Sequence, residues 1–166
     1  MMEVYHTSNQ CVSRPDTIHS RKELDFGPGF YFTTIRHQAE VYAFRFFRRN
    51  EPAWLNVYEF SEEWADWKVK CFEYYDEEWL DFVMACRNGE VVGDFDMVIG
   101  GIADDKVFDT IDLYTDALIS KEEALKRLSY MKPNIQYCIR TDAMLEQCLT
   151  FKKVMQLCPS VKSQGK

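Results

Sequence analysis

The chain has 166 residues, with 20 Lys and Arg against 27 Asp and Glu, and its net charge is −7. This length fits one domain with a proper core, and a 46% hydrophobic, 15% aromatic composition excludes a disordered chain. The acidic balance disfavours nucleic acid as the main ligand, because phosphate binding needs a concentrated basic face. We interpret the densest basic group, Arg45, Arg48 and Arg49, as a solvated helix face with acidic partners elsewhere.

The six cysteines show no Cys-x-x-Cys pair and no clustering with histidine, so the sequence offers no zinc site. Residues 1–6 lack the basic start and the apolar run of a signal peptide. No stretch approaches the roughly 20 apolar residues that a membrane span requires. We therefore expect reduced thiols, a cytoplasmic location and no membrane contact, with secretion as an effector without a signal left open.

In chain order, strands and helices are predicted to alternate without a regular β-α-β rhythm. Strand-forming runs occur at residues 4–8, 26–34, 53–60, 95–101, 135–140 and 151–157. Helical spacing or capping signals occur at residues 35–49, 76–87, 104–114 and 120–130, and a short helix follows Thr141 or Asp142. This pattern predicts a mixed α+β domain over residues 1–158, followed by a polar tail over residues 159–166.

Three of these strands carry residues that resemble the motifs of the ADP-ribosyltransferase superfamily, in its diphtheria-toxin and poly(ADP-ribose) polymerase branch. That branch has His-Gly-Ser on its first strand, Gly-x-Gly-x-Tyr-Phe on the next, and a late Glu. The corresponding residues here are His6-Thr7-Ser8, Gly27-Pro28-Gly29-Phe30-Tyr31-Phe32 and Gln136. Tyr42 follows Tyr31 by eleven positions, as a second tyrosine does in the polymerases. The chain also resembles, over nearly its whole length, a small bacterial family of unknown function grouped with these transferases.

The resemblance implies an ADP-ribosyltransferase-like fold, with two small, mostly antiparallel sheets forming a split β core with flanking helices. It also implies NAD+ as co-substrate, no metal, and His6, Tyr31 and Gln136 as the catalytic residues. Tyr31 and Tyr42 would sandwich the cationic nicotinamide ring by stacking and cation–π attraction. Strand alternation supports this role for Tyr31, although Tyr42 also fits the apolar stripe of its helix and is equally well interpreted as a core residue.

For the rest of NAD+, the resemblance implies that the Thr7 backbone pairs with the nicotinamide carboxamide. Ser8 would add a hydroxyl to the same group, and His6 would bond the adenosine ribose. Gly27 and Gly29 would let the backbone pass close to the ligand. Arg21 is the candidate for the diphosphate, because its planar fork suits phosphate oxygens, with an ion pair to Glu23 or Asp25 as the alternative.

Gln136 stands where the branch has a glutamate. Its amide oxygen accepts a hydrogen bond from a ribose hydroxyl but supplies no charge, a loss on the order of a few kcal/mol of transition-state stabilisation. We therefore expect no polymer synthesis and favour transfer of one ADP-ribose unit to an acceptor, a protein rather than a nucleic acid. The alternatives are a catalytically weak or inactive module that binds NAD+ or ADP-ribose, and a toxin or immunity component that acts through protein contacts.

Overall fold

The computed structural model describes residues 1–19 and 24–159. Its strands are β1 Met2–Ser8, β2 Phe30–Phe32, β3 Ala53–Phe60, β4 Val69–Cys71, β5 Met97–Ile102, β6 Asn134–Ile139 and β7 Leu149–Leu157. Its helices are α1 Arg36–Tyr42, α2 Phe44–Phe47, α3 Glu77–Arg87, α4 Asp105–Thr115, α5 Lys121–Leu128 and α6 Asp142–Cys148. The predicted α+β class is confirmed. Of the predicted polar tail, only Pro159 lies within the described residues.

The strands form two small sheets, one in the order β1-β3-β7 and one in the order β2-β6-β5-β4. β3 pairs antiparallel with both of its neighbours, β5 pairs antiparallel with β6, and β4 pairs parallel with β5. The chain divides into two compact units. Unit 1 contains residues 1–15, residues 32–63 and the chain from Glu146 onward, and unit 2 contains residues 16–31 and 64–145.

Unit 1 is built around the central strand β3. Its apolar residues Leu55 and Val57 are fully buried against Ala39 of α1. Tyr5, Met155 and Leu157 pack on the edge of the same cluster. The side chains of β3 alternate between the two faces of the sheet, so Asn56 and Tyr58 lie on the face opposite α1. Both faces of β3 are therefore buried, in agreement with its nearly continuous apolar sequence.

Unit 2 has its core where α3 packs on the four-stranded sheet. Asp76 caps α3, because its side chain accepts the Trp79 N–H at 2.9 Å. The Trp79 indole is fully buried and donates to the carbonyl of Gly101 at 2.8 Å. A Cβ on Gly101 would lie 2.5 Å from the Tyr75 ring, so this strand position requires glycine. Glycine at this position of β5 thus allows the Tyr75 ring to approach the sheet closely.

Two predicted elements are wrong in extent. The helix predicted over residues 35–49 is divided at Ala43 into α1 and α2, followed by turn residues. The strand predicted over residues 26–34 is limited to β2, because Gly27, at φ 77°, forms a turn before it. The Gly27 N–H bonds the Leu24 carbonyl at 3.0 Å and closes that turn.

The thiols provide a test of these burial assignments. All six cysteines are described and none forms a disulfide; Cys86, Cys138 and Cys148 are buried, and the other three are exposed. Burial raises the pKa of Cys86 to about 11 and that of Cys138 to about 12, so the reactive thiolate is scarce at about pH 8. We expect Ellman's reagent to label three thiols rapidly in the native protein and six in denaturant. Rapid native labelling of four or more would contradict the burial described here.

Candidate functional site

Thr7 lies near the end of β1, which is an edge strand of its sheet. On the side away from β3, Tyr5 donates its N–H to the Thr33 carbonyl at 2.9 Å and accepts the Thr33 N–H at 3.0 Å. Backbone groups alternate in direction along a strand, so Thr7 presents its N–H and C=O on the same side as Tyr5. Among the described residues, none forms a backbone hydrogen bond to Thr7 on that side.

The Thr7 side chain has a structural role instead. It is 5% exposed, and its Oγ1 donates to the Ala39 carbonyl at 2.5 Å. Ala39 is itself buried against β3. This hydrogen bond fixes α1 against the end of β1. On the side away from β3, the Thr7 backbone N–H and C=O, and not its hydroxyl, are the groups without a hydrogen-bond partner among the described residues.

His6 lies on the opposite face of the sheet from Thr7, because side chains alternate along β1. It stands across from Asn56 in the β1–β3 ladder and shares that face with Tyr58. Asn56 is fully buried, and its Oδ1 accepts the Val12 N–H at 2.7 Å. The Tyr58 hydroxyl donates to the Val12 carbonyl at 2.5 Å. Sequence reasoning did not select Asn56, although this side chain holds the loop next to His6.

Tyr42 is a surface residue at the end of α1, 39% exposed, and it is not part of the core. The Arg45 guanidinium lies over its ring, with Cζ 4.8 Å from the centroid, and the Phe46 ring meets it edge-on at 5.9 Å. A cation therefore already covers one face of the ring. Ser8, the last residue of β1, stands across from Trp54 and is partly buried.

Tyr31 is held in unit 2 by its hydroxyl and by its ring. The hydroxyl donates to the Gly27 carbonyl at 2.5 Å and accepts the Phe26 N–H at 3.2 Å. The Phe26 ring stacks on the Tyr31 ring, with the two ring centroids 6.4 Å apart and an interplanar angle of 8°. Burial raises the pKa of Tyr31 well above its usual range, so the phenol stays protonated. The predicted alternation is confirmed, since Phe30 and Phe32 are buried and Tyr31 is partly exposed.

Gln136 lies close to Tyr31 in the sheet of unit 2. Its strand β6 is the neighbour of β2, and Gln136 pairs with Gly100 of β5 on the other side. Cys138, two residues further along, shares the face of Gln136, and its thiol is near enough to the Tyr31 hydroxyl to contribute to the raised pKa of that phenol. The structure therefore places Tyr31 and Gln136 on one face of two adjacent strands.

The two glycines before Tyr31 have structural roles that require no ligand. Gly27 adopts the positive φ of the turn. A Cβ on Gly29 would lie 2.5 Å from the Cys138 Sγ and 2.6 Å from the Ile139 carbonyl oxygen. Close packing of β6 thus explains Gly29, and the predicted approach of both glycines to a ligand stays a prediction.

Arg21 lies outside the described residues, so its predicted diphosphate contact stays a prediction. Asp25, the alternative partner of Arg21, accepts Arg87 Nη2 at 2.7 Å and the Ala103 N–H at 2.8 Å. The Arg87 guanidinium also stacks on Phe108, 4.6 Å from the ring centroid. This partly buried pair fixes the start of the glycine segment to α3 and β5, and sequence reasoning missed it.

The family model described as "Protein of unknown function (DUF3990)" matches residues 2–151. The chain belongs to the DUF3990 family. No curated protein and no solved structure matches it. Membership agrees with the resemblance to a small family of unknown function.

Asp104 and Asp96 of this DUF3990 protein accept hydrogen bonds from groups of the chain itself. Asp104 caps α4, because its side chain accepts the Val107 N–H at 3.0 Å. Asp96 accepts the Lys68 N–H at 2.9 Å and the Thr141 hydroxyl at 3.1 Å. Within residues 1–19 and 24–159, no group of three His, Cys, Asp or Glu could hold a metal ion. No helix in those ranges is long and apolar enough to cross a membrane.

We expect Asp25→Asn to lower the free energy of unfolding by about 2–4 kcal/mol, because it leaves the partly buried Arg87 without its charge partner. The matched control is Asp94→Asn, which breaks the pair with Lys68 at a position that is 93% exposed, and it should leave the unfolding midpoint unchanged. Urea denaturation followed by tryptophan fluorescence measures both. Equal midpoints for the two variants would show that the Asp25–Arg87 pair does not hold the segment.

Proposed function

We propose that this DUF3990 chain binds NAD+ and transfers one ADP-ribose unit to a macromolecular acceptor, a protein rather than a nucleic acid. The observation that supports it most strongly is that the Thr7 backbone N–H and C=O have no partner among the described residues on the side away from β3. A carboxamide presents an N–H donor beside a C=O acceptor, and a residue on an open strand edge presents the complementary pair. The Ser8 hydroxyl follows directly in the chain and is assigned to the same group.

The proposal assigns the nicotinamide ring to Tyr31. A flat cation gains from stacking on an aromatic face, and the gain is larger when the ring is already fixed. The hydroxyl bond to Gly27 and the stacked Phe26 ring supply that order before any ligand binds. Tyr42 is exposed enough to contact a ligand, but Arg45 over its ring makes that face unsuited to a cation, so its clamp role rests on the other face.

Gln136 is assigned to the 2′-hydroxyl of the nicotinamide ribose, because its amide oxygen can accept a hydrogen bond from that hydroxyl. In the proposed reaction, the bond between ribose C1 and nicotinamide nitrogen breaks with its electron pair leaving on nicotinamide. An acceptor nucleophile then attacks C1 and loses its proton. The ribose passes through an oxocarbenium-like state, which a neutral amide stabilises less than a carboxylate. Slow transfer is therefore part of the proposal.

A module that binds NAD+ or ADP-ribose without cleaving it is the second candidate. The neutral side chain at position 136 favours it, because binding needs the hydrogen bond while cleavage gains from the charge. In that case the same residues serve as in the first candidate, with His6 on the adenosine ribose. A role as a toxin or immunity component acting through protein contacts stays a prediction.

The charge argument predicts the effect of Gln136→Glu. We expect this variant to release nicotinamide from NAD+ at least about tenfold faster than wild type, because a carboxylate offsets the developing positive charge. Chromatography of nicotinamide, with and without cell lysate as a source of acceptors, measures it, and labelled ADP-ribose on protein reports transfer. Gln136→Ala is the control and should be slower than wild type. Absence of nicotinamide release by wild type and by Gln136→Glu would rule out the transferase.

The backbone argument predicts a difference between two substitutions of Thr7. Thr7→Val removes the hydroxyl bond to Ala39 but keeps the N–H, whereas Thr7→Pro removes the N–H as well. Proline is tolerated where an edge-strand N–H points away from the sheet. We expect calorimetry to show NAD+ bound at least about tenfold more weakly by Thr7→Pro than by Thr7→Val, in line with the loss of one ligand hydrogen bond. Equal affinities in two folded variants would contradict the assigned carboxamide contact.

A further inference from the structure

Apolar side chains are exposed together on α1 and α2. Ile35, Val41, Tyr42 and Phe44 are 49%, 50%, 39% and 45% exposed. They lie within one segment of ten residues, so four exposed apolar side chains are concentrated in a short stretch, whereas single exposed apolar residues are common on any protein surface. We call the exposed side chains of this stretch, together with the arginines that follow them, the α1–α2 surface; its members are Ile35, Val41, Tyr42, Phe44, Arg45, Arg48 and Arg49.

The three arginines of the α1–α2 surface are exposed and have no acidic partner in the part of the chain that the structure describes. Arg36, on the same segment, differs from them, since it pairs with Glu40 at 2.7 Å. The protein has 27 acidic residues and a net charge of −7. Acidic partners were expected from the sequence, and none is found among the described residues. The positive charge is therefore available to a ligand.

The backbone of this segment is firmly placed, although its side chains are exposed. Thr7 anchors α1 through the Ala39 carbonyl. Ala43, 1% exposed, joins the two helices, and its carbonyl accepts the N–H groups of Phe46 and Phe47 at 3.0 and 3.2 Å. An exposed apolar patch on an ordered backbone loses little conformational entropy on binding, which favours its use as an interface.

We propose that the α1–α2 surface binds an acidic, amphipathic peptide segment of a protein partner. The aliphatic Ile35 and Val41 gain only from burial against other apolar side chains, and a nucleic-acid base offers them no comparable surface. The Tyr42 ring carries Arg45 on one face, which leaves it less room to stack on bases. Exposed Tyr, Phe and Arg beside aliphatic residues have the composition of a protein interface, and the arginines select carboxylates at its rim.

An anionic membrane is a poorer fit than a peptide. Surface-bound helices bury a long apolar face, whereas α1 has seven residues and α2 has four. A peptide helix of two or three turns, with leucine-like residues on one side and Asp or Glu beside them, matches both the size and the charge of this surface. This surface shares Tyr42 with the proposed nicotinamide clamp, but peptide binding needs no reacting group and is measured without NAD+.

Selection of a displayed library of random 16-residue peptides on the full chain tests the proposal. We expect the enriched peptides to combine acidic with large apolar residues. Arg45→Glu/Arg48→Glu/Arg49→Glu should weaken binding of an enriched peptide about tenfold or more, as summed rim charge pairs suggest. The control is Lys106→Glu/Lys126→Glu/Lys132→Glu, which makes the same change in net charge at exposed lysines and should change the affinity less than about twofold.

Three results would overturn the proposal. The first is the absence of acidic, apolar peptides among those enriched on wild type. The second is an equal loss of affinity in the arginine and lysine variants, which would reduce the effect to net charge. The third is tighter binding of a single-stranded oligothymidine or of phosphatidylglycerol vesicles than of the enriched peptide, measured by fluorescence anisotropy and by sedimentation. That result would assign the surface to nucleic acid or to lipid.

Discussion

The two backbone hydrogen bonds between Tyr5 and Thr33 fix the direction of the backbone groups along β1. They leave the end of the strand open at Thr7, where the chain presents a donor and an acceptor together. Thr33 also holds the turn before α1, because its hydroxyl accepts the Ile35 N–H at 3.1 Å and donates to the Gln38 side chain at 2.6 Å. One residue thus ends the pairing of the edge and places the helix that Thr7 anchors.

In unit 2, the side chains around Tyr31 are likewise fixed by hydrogen bonds before any ligand binds. The Tyr31 hydroxyl bonds the loop that carries Gly27, and the Asp25–Arg87 pair ties the start of that loop to α3. Gln136 shares the face of this assembly but contributes no charge. The proposed site is therefore ordered for binding NAD+ but lacks the charge that would speed its cleavage. A slow transferase and a binding module both require this combination.

The sequence predicted the long elements well because their signals are local. The bounds of β3 are those of its strand-forming run. The capping signal at the start of α5 is also present in the structure, since the Ser120 side chain accepts the Glu123 N–H at 3.1 Å. The division of the helix at Ala43 could not be predicted, since no Gly or Pro marks it. Contacts between distant residues were also missed, among them Asp25 with Arg87 and Asn56 with Val12, because pairing over 40 or more positions leaves no local pattern.

For the candidate site, periodicity predicted which way the side chains of β2 face, but it says nothing about which backbone groups an edge strand leaves unbonded. That information comes from the partner strand, and it is the part of the structure on which the proposed function most depends. The exposure of Tyr42 could not be predicted from periodicity for the same reason, because it depends on which surfaces the rest of the fold covers. The lack of acidic partners for the three arginines also depends on the fold.

Amide hydrogen exchange measured by NMR at Thr7 is the most direct test of this account. An N–H that points out of an open strand edge exchanges quickly, whereas the His6 N–H, directed at β3, exchanges slowly. The account predicts fast exchange at Thr7 in the ligand-free protein and strong protection, with a shifted Thr7 resonance, when NAD+ is added. A Thr7 amide that is already protected without ligand, or one that NAD+ does not affect, would contradict it.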